Sequence, residues 1–319
     1  MNILLLGAEG RLGWELGASL APLGRICHYG HKQADFTKPD LLEKLVRRIH
    51  PGVIVNAAAH TAVDQAEAEP RRAEQINAEA PARLARLAKE LSAWLIHYST
   101  DYVFDGSKDG WYSEDDPAAP LNVYGRSKLA GDEAVISSGC RHLIFRVSWL
   151  FSVRGHSFPR AILEQAQKKE SFSVTDDQFG SPTGVELLSS TTALALNRAQ
   201  TSDHDLSGLY NLAASGETNW HGFAVYLVTK ARKLGWNLKT RPENIKPIPA
   251  AAVADKRPAR RPANSRLSTD RLASAFGFRP PNWTYYVDRL LWLWTSIRNL
   301  SKHSPLICPD HHHYDIIQN

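Results

Sequence analysis

A tyrosine and a lysine stand four residues apart in the segment Tyr124-Gly-Arg-Ser-Lys128. In a helix this spacing places both side chains on one face. A phenol, with a pKa of about 10, is a weak acid–base group at neutral pH, but a nearby ammonium group favours the phenolate and lowers that pKa. The pair could therefore move a proton to or from a carbonyl oxygen. Because an exposed tyrosine and lysine often share this spacing, the pair needs support from its surroundings.

That support comes from segments that follow predicted strands. Trp94–Ser99 is apolar enough for a buried strand, and Thr100 follows it with a hydroxyl that could donate a hydrogen bond to a substrate carbonyl. The strand Gly52–Val55 is followed by small residues that would let a cofactor lie close to the backbone, namely Ala57, Ala58 and Ala59. Ligands of doubly wound sheets bind at the carboxyl ends of the strands, so these segments predict one shared crevice.

Three glycines follow the first predicted strand, Asn2–Leu6, in the pattern Gly7-x-x-Gly10-x-x-Gly13. In such a loop the glycines allow a tight turn, a close approach of the diphosphate and close helix packing. The following helix would offer its N-terminal amides and its dipole to the phosphates. The residues of this loop predicted to bind the cofactor are Gly7, Glu9, Gly10, Arg11, Leu12 and Gly13.

The end of the second predicted strand, Arg25–Tyr29, bears on the choice of cofactor. An acidic residue at this point accepts a hydrogen bond from the ribose 2′-OH of NAD, whereas a basic residue accommodates the 2′-phosphate of NADP. No acid follows the strand directly, and Asp35 comes slightly late. The sequence therefore favours NADPH, with NADH as the alternative, and the predicted contacts are His31, Lys32, Asp35 and Phe36.

Apolar strands alternate with helical stretches through the first half of the chain, which indicates βαβ units and a parallel sheet covered on both faces. The fold class is therefore α/β, a Rossmann-like doubly wound sheet with a smaller C-terminal α/β domain that binds substrate. We expect the cofactor domain over residues 1–148, with a return segment over about 187–225. The substrate domain would hold 149–186 and 226–300, and 301–319 would form a loosely ordered tail.

Composition excludes several classes of protein. The chain has 319 residues, of which 43% are apolar, so it can bury a core and is not disordered throughout. Its three cysteines have neither the parity of a disulfide scaffold nor the spacing of a zinc site. No apolar segment reaches the roughly 18 residues of a membrane span, and the N-terminus lacks the features of a signal peptide. We expect a cytoplasmic protein that does not act at a membrane.

The formal charge of +5 is unevenly distributed. Residues 230–300 contain 15 Lys and Arg against four acids, and the rest of the chain is net acidic. A basic region invites a nucleic-acid interpretation, but its residues do not alternate with the aromatics of a single-strand platform. A solvated face and a pocket for an anionic ligand remain as the two interpretations.

Taken together, the motifs resemble the dTDP-4-dehydrorhamnose reductases, a family of extended short-chain dehydrogenases/reductases. The resemblance covers residues 1 to about 295, in matching order and spacing. Besides the glycine loop and the Tyr124–Lys128 segment, it is carried by Asn56–Asp64, Ser99–Gly106, Arg146–Trp149, Asp177–Gly184 and Arg261–Leu267.

The resemblance implies NAD(P)H-dependent reduction of the C4 ketone of dTDP-4-dehydro-L-rhamnose, which yields dTDP-L-rhamnose for cell-surface polysaccharides. It implies that Tyr124 protonates the developing alkoxide, that Lys128 tunes Tyr124 and holds the nicotinamide ribose, and that Thr100 orients the carbonyl. The substrate contacts implied by position are Asp101, Tyr102, Trp149 and Gln178, with Arg257 and Arg260 toward the diphosphate.

The chain departs from the family pattern at a metal site. Some members form a homodimer through magnesium held by three carboxylates, of which Glu15 and Glu186 are present here. The third position falls near Leu293, which is apolar, and a hard cation takes more oxygen ligands than two glutamates provide. We therefore expect no firm metal site, although a homodimer could form without one.

Two other functions remain open at this point. A sugar-nucleotide epimerase or dehydratase of the same superfamily is the first, although Tyr102 stands where a dehydratase needs a second carboxylate after Asp101. The second is a non-catalytic regulatory subunit that keeps the reductase fold. The intact set of Thr100, Tyr124 and Lys128 favours an active enzyme.

Overall fold

The computed structural model describes residues 1–256 and 258–303. Its strands are β1 (Asn2–Leu6), β2 (Arg25–Tyr29), β3 (Val53–Asn56), β4 (Trp94–Thr100), β5 (Arg141–Val147), β6 (Leu150–Phe151), β7 (Phe172–Thr175), β8 (Phe179–Gly180), β9 (Thr183–Gly184), β10 (Gly208–Leu212), β11 (Thr218–Asn219) and β12 (Ile245–Ile248). Its helices are α1 (Arg11–Leu20), α2 (Pro39–Ile49), α3 (Val63–Ala68), α4 (Pro70–Glu74), α5 (Ala80–Glu90), α6 (Val123–Ser138), α7 (Phe158–Lys168), α8 (Val185–Thr201), α9 (Trp220–Lys233), α10 (Asp270–Phe276) and α11 (Trp283–His303).

The central sheet has six parallel strands in the order β10-β5-β4-β3-β1-β2. Along the sheet the chain proceeds outward in both directions from the junction of β1 and β3. In doubly wound folds such a switch point opens a crevice at the carboxyl ends of the two strands. The glycine loop follows β1 and the alanines follow β3, so the fold places both at this crevice.

Both faces of the sheet are covered, as the apolar strands predicted. Ile3 and Leu5 of β1 face one core, which also contains Leu16 of α1 and Leu188 of α8. The alternate residues of β1 face a second core, formed with α2 and α5. The α/β class with a doubly wound parallel sheet is therefore confirmed.

The remaining strands form three two-stranded sheets, β11-β8, β12-β7 and β6-β9, in the C-terminal half. Helices α9 and α11 pack there, and their side chains Phe223, Leu227 and Leu290 belong to the same core as β1. The hydrophobic core thus runs without interruption from the central sheet to the C-terminal helices. The division into two domains stays a prediction.

The helical region after residue 70 contains a π-helical turn over Gln75–Glu79, directly before α5. Pro81, which lacks an amide hydrogen, follows this turn as the second residue of α5. The π turn approaches α6 closely, because a side chain at Gly131 would overlap the carbonyl oxygen of Asn77.

Two sequence predictions, one on Arg257 and one on the tail over 301–319, fall wholly or partly outside the described residues. Arg257 lies outside them, as does 304–319 of the predicted tail, whereas α11 continues through His303. Within the described residues, no helix combines the length and apolar character needed to cross a bilayer.

Candidate active site

The glycine loop forms a tight backbone cradle between β1 and α1. Gly7 has a φ of +77°, which favours glycine, and a side chain there would approach the amide nitrogen of Ala58 to 2.7 Å. A side chain at Gly13 would overlap the carbonyl oxygen of Gly7, whereas one at Gly10 would stay 3.2 Å from it. Gly10 is exposed and precedes the first turn of α1, so the cradle leaves backbone amides free for a diphosphate.

These contacts predict different effects of alanine at two of the glycines. Gly13→Ala should lower the free energy of unfolding by about 1–3 kcal/mol, because the new methyl group is forced against backbone that cannot rotate away. Gly10→Ala, with more room, serves as the matched control and should cost less. Thermal unfolding of the cofactor-free protein compares the two, and equal losses would contradict the geometry of the cradle.

A cleft of about 410 Å³ continues from this cradle across the ends of the central strands. Its lining includes most of the residues predicted to bind the cofactor, namely Gly7, Glu9, Gly10, Arg11, Leu12, His31, Phe36, Ala57, Ala58, Ala59, Tyr124 and Lys128. The cleft is also lined by residues that were not predicted to bind the cofactor, among them Thr61, Ile76, Leu150 and Val185.

Three residues from the predicted cofactor set do not line the cleft. Gly13 packs beneath it against Gly7. Asp35 turns away and accepts hydrogen bonds from the backbone and hydroxyl of Thr37. Lys32 is exposed on the turn after β2 and is absent from the lining.

The predicted catalytic side chains meet near the end of β4. Thr100 ends this strand, and its hydroxyl accepts a hydrogen bond from the amide of Tyr102 at 3.2 Å. Tyr124 lies in the first turn of α6, and Asn122 caps that helix by accepting from the Gly125 amide at 2.8 Å. The Thr100 side chain lies close enough to the Tyr124 phenol to lower its pKa, so both hydroxyls lie at the end of β4.

Lys128 lies one turn further along α6 and is almost completely buried. Its Nζ is 3.3 Å from Nε2 of His97, a β4 residue whose Nδ1 is 3.1 Å from Nδ2 of Asn56. Asp132, another turn along α6, accepts a hydrogen bond from the Ser99 hydroxyl at 2.6 Å. The ammonium group is therefore supported from behind by a buried polar network that joins β3, β4 and α6.

The pKa of Tyr124 is raised from its ordinary value, whereas the sequence led us to expect that it would be lowered. Burial, reinforced by the nearby charges of Asp101 and Asp132, raises the pKa of Tyr124 to about 12, although the Thr100 hydrogen bond opposes this. Burial also lowers the pKa of Lys128 to about 8, with Asp132 acting in the other direction. The phenol of the cofactor-free protein is thus held in its protonated form, because desolvation and the two carboxylates outweigh the Thr100 hydrogen bond.

Two of the predicted substrate residues border the catalytic pair. The ring of Tyr102 meets that of Tyr124 edge to face, with 5.8 Å between centroids. Asp101 is buried and accepts a hydrogen bond from the Thr100 hydroxyl at 3.1 Å, so it faces the protein interior. Burial raises the pKa of Asp101 to about 6.

The other two predicted substrate residues, Trp149 and Gln178, lie toward the C-terminal half of the chain. Trp149 has a φ of +49°, which is strained for a side chain of this size, and stacks on Trp220 at 3.6 Å. It also lies against Gly180, where any side chain would collide with the indole. Gln178 is buried in the segment between β7 and β8.

The basic region is more dispersed than its sequence clustering suggested. Arg261 forms two hydrogen bonds of 2.6 Å with the carboxylate of Asp64, which ties the C-terminal half to α3. Arg266 pairs with Glu217, and further along the chain Lys230 pairs with Asp288. Arg260 has an exposed side chain, and its backbone carbonyl accepts from Asn122 at 2.7 Å, beside the start of α6.

Comparison with known proteins places this site in a family. Residues 1–296 match the family described as the RmlD substrate binding domain. Over 295 residues the chain is 46% identical to the dTDP-4-dehydrorhamnose reductase of Escherichia coli, covering 91% of this chain and 97% of that protein. The chain belongs to the dTDP-4-dehydrorhamnose reductase family.

Other members of the family support the same assignment. The dTDP-4-dehydrorhamnose reductase of Burkholderia thailandensis is 42% identical over 290 residues, which cover 90% of this chain and 97% of that one. The crystal structure of the Bacillus anthracis dTDP-4-dehydrorhamnose reductase, in complex with NADP, has a TM-score of 0.81 and 31% identity. It covers 91% of this chain and 98% of that chain.

The two carboxylates considered for a metal come near each other, since the charge of Glu15 acts on Glu186. Burial is the main reason that the pKa of Glu186 is raised. The third carboxylate implied by the resemblance falls near Leu293, which is apolar. Among residues 1–256 and 258–303, no group of three or more His, Cys, Asp or Glu residues could hold a metal. The residues at this point therefore do not fit the three-carboxylate magnesium site of other members.

Proposed function

We propose that this protein reduces the C4 ketone of dTDP-4-dehydro-L-rhamnose to give dTDP-L-rhamnose, with a reduced nicotinamide dinucleotide as the hydride donor. The observation that carries the proposal is the placement of Thr100 at the end of β4 beside Tyr124 of α6, with Tyr124 and the buried Lys128 lining the same cleft as the glycine cradle. The names of its relatives, including the one with NADP bound, support the same reaction.

The cleft suits a dinucleotide. The glycine cradle at the start of α1 would hold the diphosphate, and the alanines after β3 would allow close approach along the cleft floor. Bound there, the nicotinamide supplies the hydride. NADPH and NADH both remain candidates, as the sequence analysis left them, with NADPH favoured by the absence of an acid directly after β2.

The proton for the reaction comes from Tyr124. As hydride reaches C4, negative charge develops on the carbonyl oxygen, and a phenol held protonated by its environment can donate to it. The Thr100 hydroxyl, which donates to Asp101 in the free protein, would turn to donate a second hydrogen bond to the same oxygen and so fix its direction. Lys128, whose Nζ lies 3.3 Å from His97 and whose charge is favoured by Asp132, would place its positive charge beside the phenol and reduce the cost of the phenolate that forms.

Substrate binding involves both halves of the chain. Tyr102 and Trp149 would flank the sugar, and Gln178 lies beyond them on the C-terminal side. Asp101 is directed away from this space and accepts the Thr100 proton in the free protein, so we propose that it holds Thr100 in place before the sugar binds rather than touching the sugar. Arg260 and Arg257 would meet the diphosphate, which carries about two negative charges that arginine binds well.

The proposed reaction is tested with the purified protein and a panel of nucleotide-linked 4-ketosugars. We expect oxidation of the nicotinamide, followed by its absorbance, with the dTDP-linked 4-keto-6-deoxy sugar and far less with the UDP- and GDP-linked ketosugars. Equal turnover of the dTDP-, UDP- and GDP-linked ketosugars would contradict specificity for the dTDP-linked sugar. Lack of any oxidation, in the presence of either NADPH or NADH, would contradict the proposal.

Arg260 offers a separate test of diphosphate binding. Arg260→Ala should raise KM for the dTDP-sugar by about tenfold, because a charge-assisted hydrogen bond contributes on the order of 1.5–3 kcal/mol, and should leave cofactor affinity unchanged. Arg48→Ala, at an exposed arginine near the end of α2, is the matched control. If the two variants have the same KM, Arg260 belongs to the solvated surface.

A further inference from the structure

An acidic side chain reaches the end of β2 from a different element. The turn after β2 contains Gly30, which is buried, and a side chain built there would overlap the carboxylate of Glu9. Glu9 belongs to the glycine loop, twenty-one residues earlier in the chain. The position after β2 thus has no acid of its own but carries a carboxylate directly above it.

The backbone fixes this arrangement. The amides of Gly7 and Ala8 both donate hydrogen bonds to the carbonyl of Tyr29, at 2.9 and 3.2 Å, and so hold the glycine loop against the last residue of β2. Gly30 leaves the space into which the Glu9 side chain extends. Glu9, Gly30 and His31 all line the cleft, so the carboxylate lies at the cofactor side of the turn.

Two other charged groups near this turn have partners away from Glu9. Asp35 accepts hydrogen bonds from Thr37 and pairs with Lys38 at 3.6 Å. Arg11 lines the cleft from the loop itself, but its guanidinium donates to the carbonyl of His156 at 3.0 Å. Of the two carboxylates Glu9 and Asp35, Glu9 is the one that lines the cleft.

We propose that Glu9 is a cofactor-specificity residue, which sets the balance between NADH and NADPH. In doubly wound folds an acid at the end of the second strand accepts a hydrogen bond from the adenosine ribose 2′-OH. Glu9 supplies that acid from the glycine loop. The same carboxylate repels a 2′-phosphate, because like charges at short range disfavour binding. The inference rests on the proposed function, since it assumes that the cleft binds a nicotinamide dinucleotide.

The test measures binding of each cofactor to the full chain without sugar substrate, through nicotinamide fluorescence. Glu9→Gln should raise the affinity for NADPH relative to NADH by about tenfold, and Glu9→Lys should raise this ratio further. Glu15→Gln removes an acid from α1 outside the cleft lining and should leave the ratio unchanged. Raising the salt concentration should narrow the difference between unsubstituted protein and Glu9→Gln, because screening weakens the repulsion.

The outcomes separate this inference from the proposed function. If both cofactors bind and the ratio is the same in the unsubstituted protein, Glu9→Gln and Glu9→Lys, then Glu9 does not set specificity, while the proposed function stands. If neither cofactor binds the unsubstituted protein, the proposed function fails and the role of Glu9 fails with it.

Discussion

Replacing Tyr124 with phenylalanine should lower kcat for ketosugar reduction by about a hundredfold or more and leave cofactor affinity nearly unchanged. General acid catalysis contributes roughly 10²–10⁴-fold, and phenylalanine keeps the ring while removing the proton donor. The ring contact with Tyr102 should persist, so the structural cost is small. Steady-state rates with the dTDP-sugar, together with a cofactor titration, measure both effects.

The matched control is Tyr210→Phe. This phenol lies on β10 outside the cleft lining and donates a hydrogen bond to the carbonyl of Leu206 at 2.9 Å. The Tyr210→Phe protein should be somewhat less stable than the unsubstituted protein and should have the same kcat. A Tyr124→Phe protein that retained most of its activity would show that another group, or water, delivers the proton.

The second large effect is a dependence of kcat/KM on pH that we attribute to the titration of Lys128. Burial lowers its pKa to about 8, so the ammonium group of the free enzyme is lost as the pH rises through that value. The profile of kcat/KM reports groups of the free enzyme, and it should therefore fall above a pH of about 8. Tyr124, with a pKa raised to about 12, stays protonated through this range and does not cause the fall.

Lys128→Met should lower kcat/KM by about a hundredfold and remove the fall above pH 8. Lys128→Arg keeps a charge over the whole range, so whatever activity remains should extend to higher pH. The measurement is kcat/KM against pH for the three proteins. A fall near pH 8 that persisted in Lys128→Met would assign the titration to another group.

Much of the fold and part of the site could be predicted from the sequence. The buried strands are short apolar runs, and β1 and β2 begin and end at the predicted residues. The spacing of Tyr124 and Lys128 placed both on one helix, and α6 confirms that placement. These features are local, because each depends on neighbouring residues along the chain.

What could not be predicted depends on contacts between distant segments. The support of Lys128 by His97 joins residues 31 positions apart, and neither residue type alone indicates it. One signal was available, since Asp132 follows Lys128 at the same four-residue spacing as Lys128 follows Tyr124. The direction of the Tyr124 pKa shift was also missed, because burial, which spacing does not reveal, is the largest influence on that pKa and raises it.

The predicted cofactor contacts after β2 also depended on contacts between distant segments. Lys32 follows β2 closely and Asp35 comes slightly late, and neither lines the cleft, while Glu9 reaches the end of β2 across the glycine loop. Position along the sequence identified the turn correctly. The direction of each side chain depended on the hydrogen bonds that hold the turn.

The most direct test of the central claim follows the hydride itself. The protein is incubated with dTDP-4-dehydro-L-rhamnose and a cofactor carrying deuterium in place of both hydrogens at C4 of the reduced nicotinamide, and the product is analysed by mass spectrometry and NMR. We expect dTDP-L-rhamnose with deuterium at C4 of the sugar, and almost none from the Tyr124→Phe protein. Deuterium at another sugar carbon, or a product without deuterium, would contradict the account.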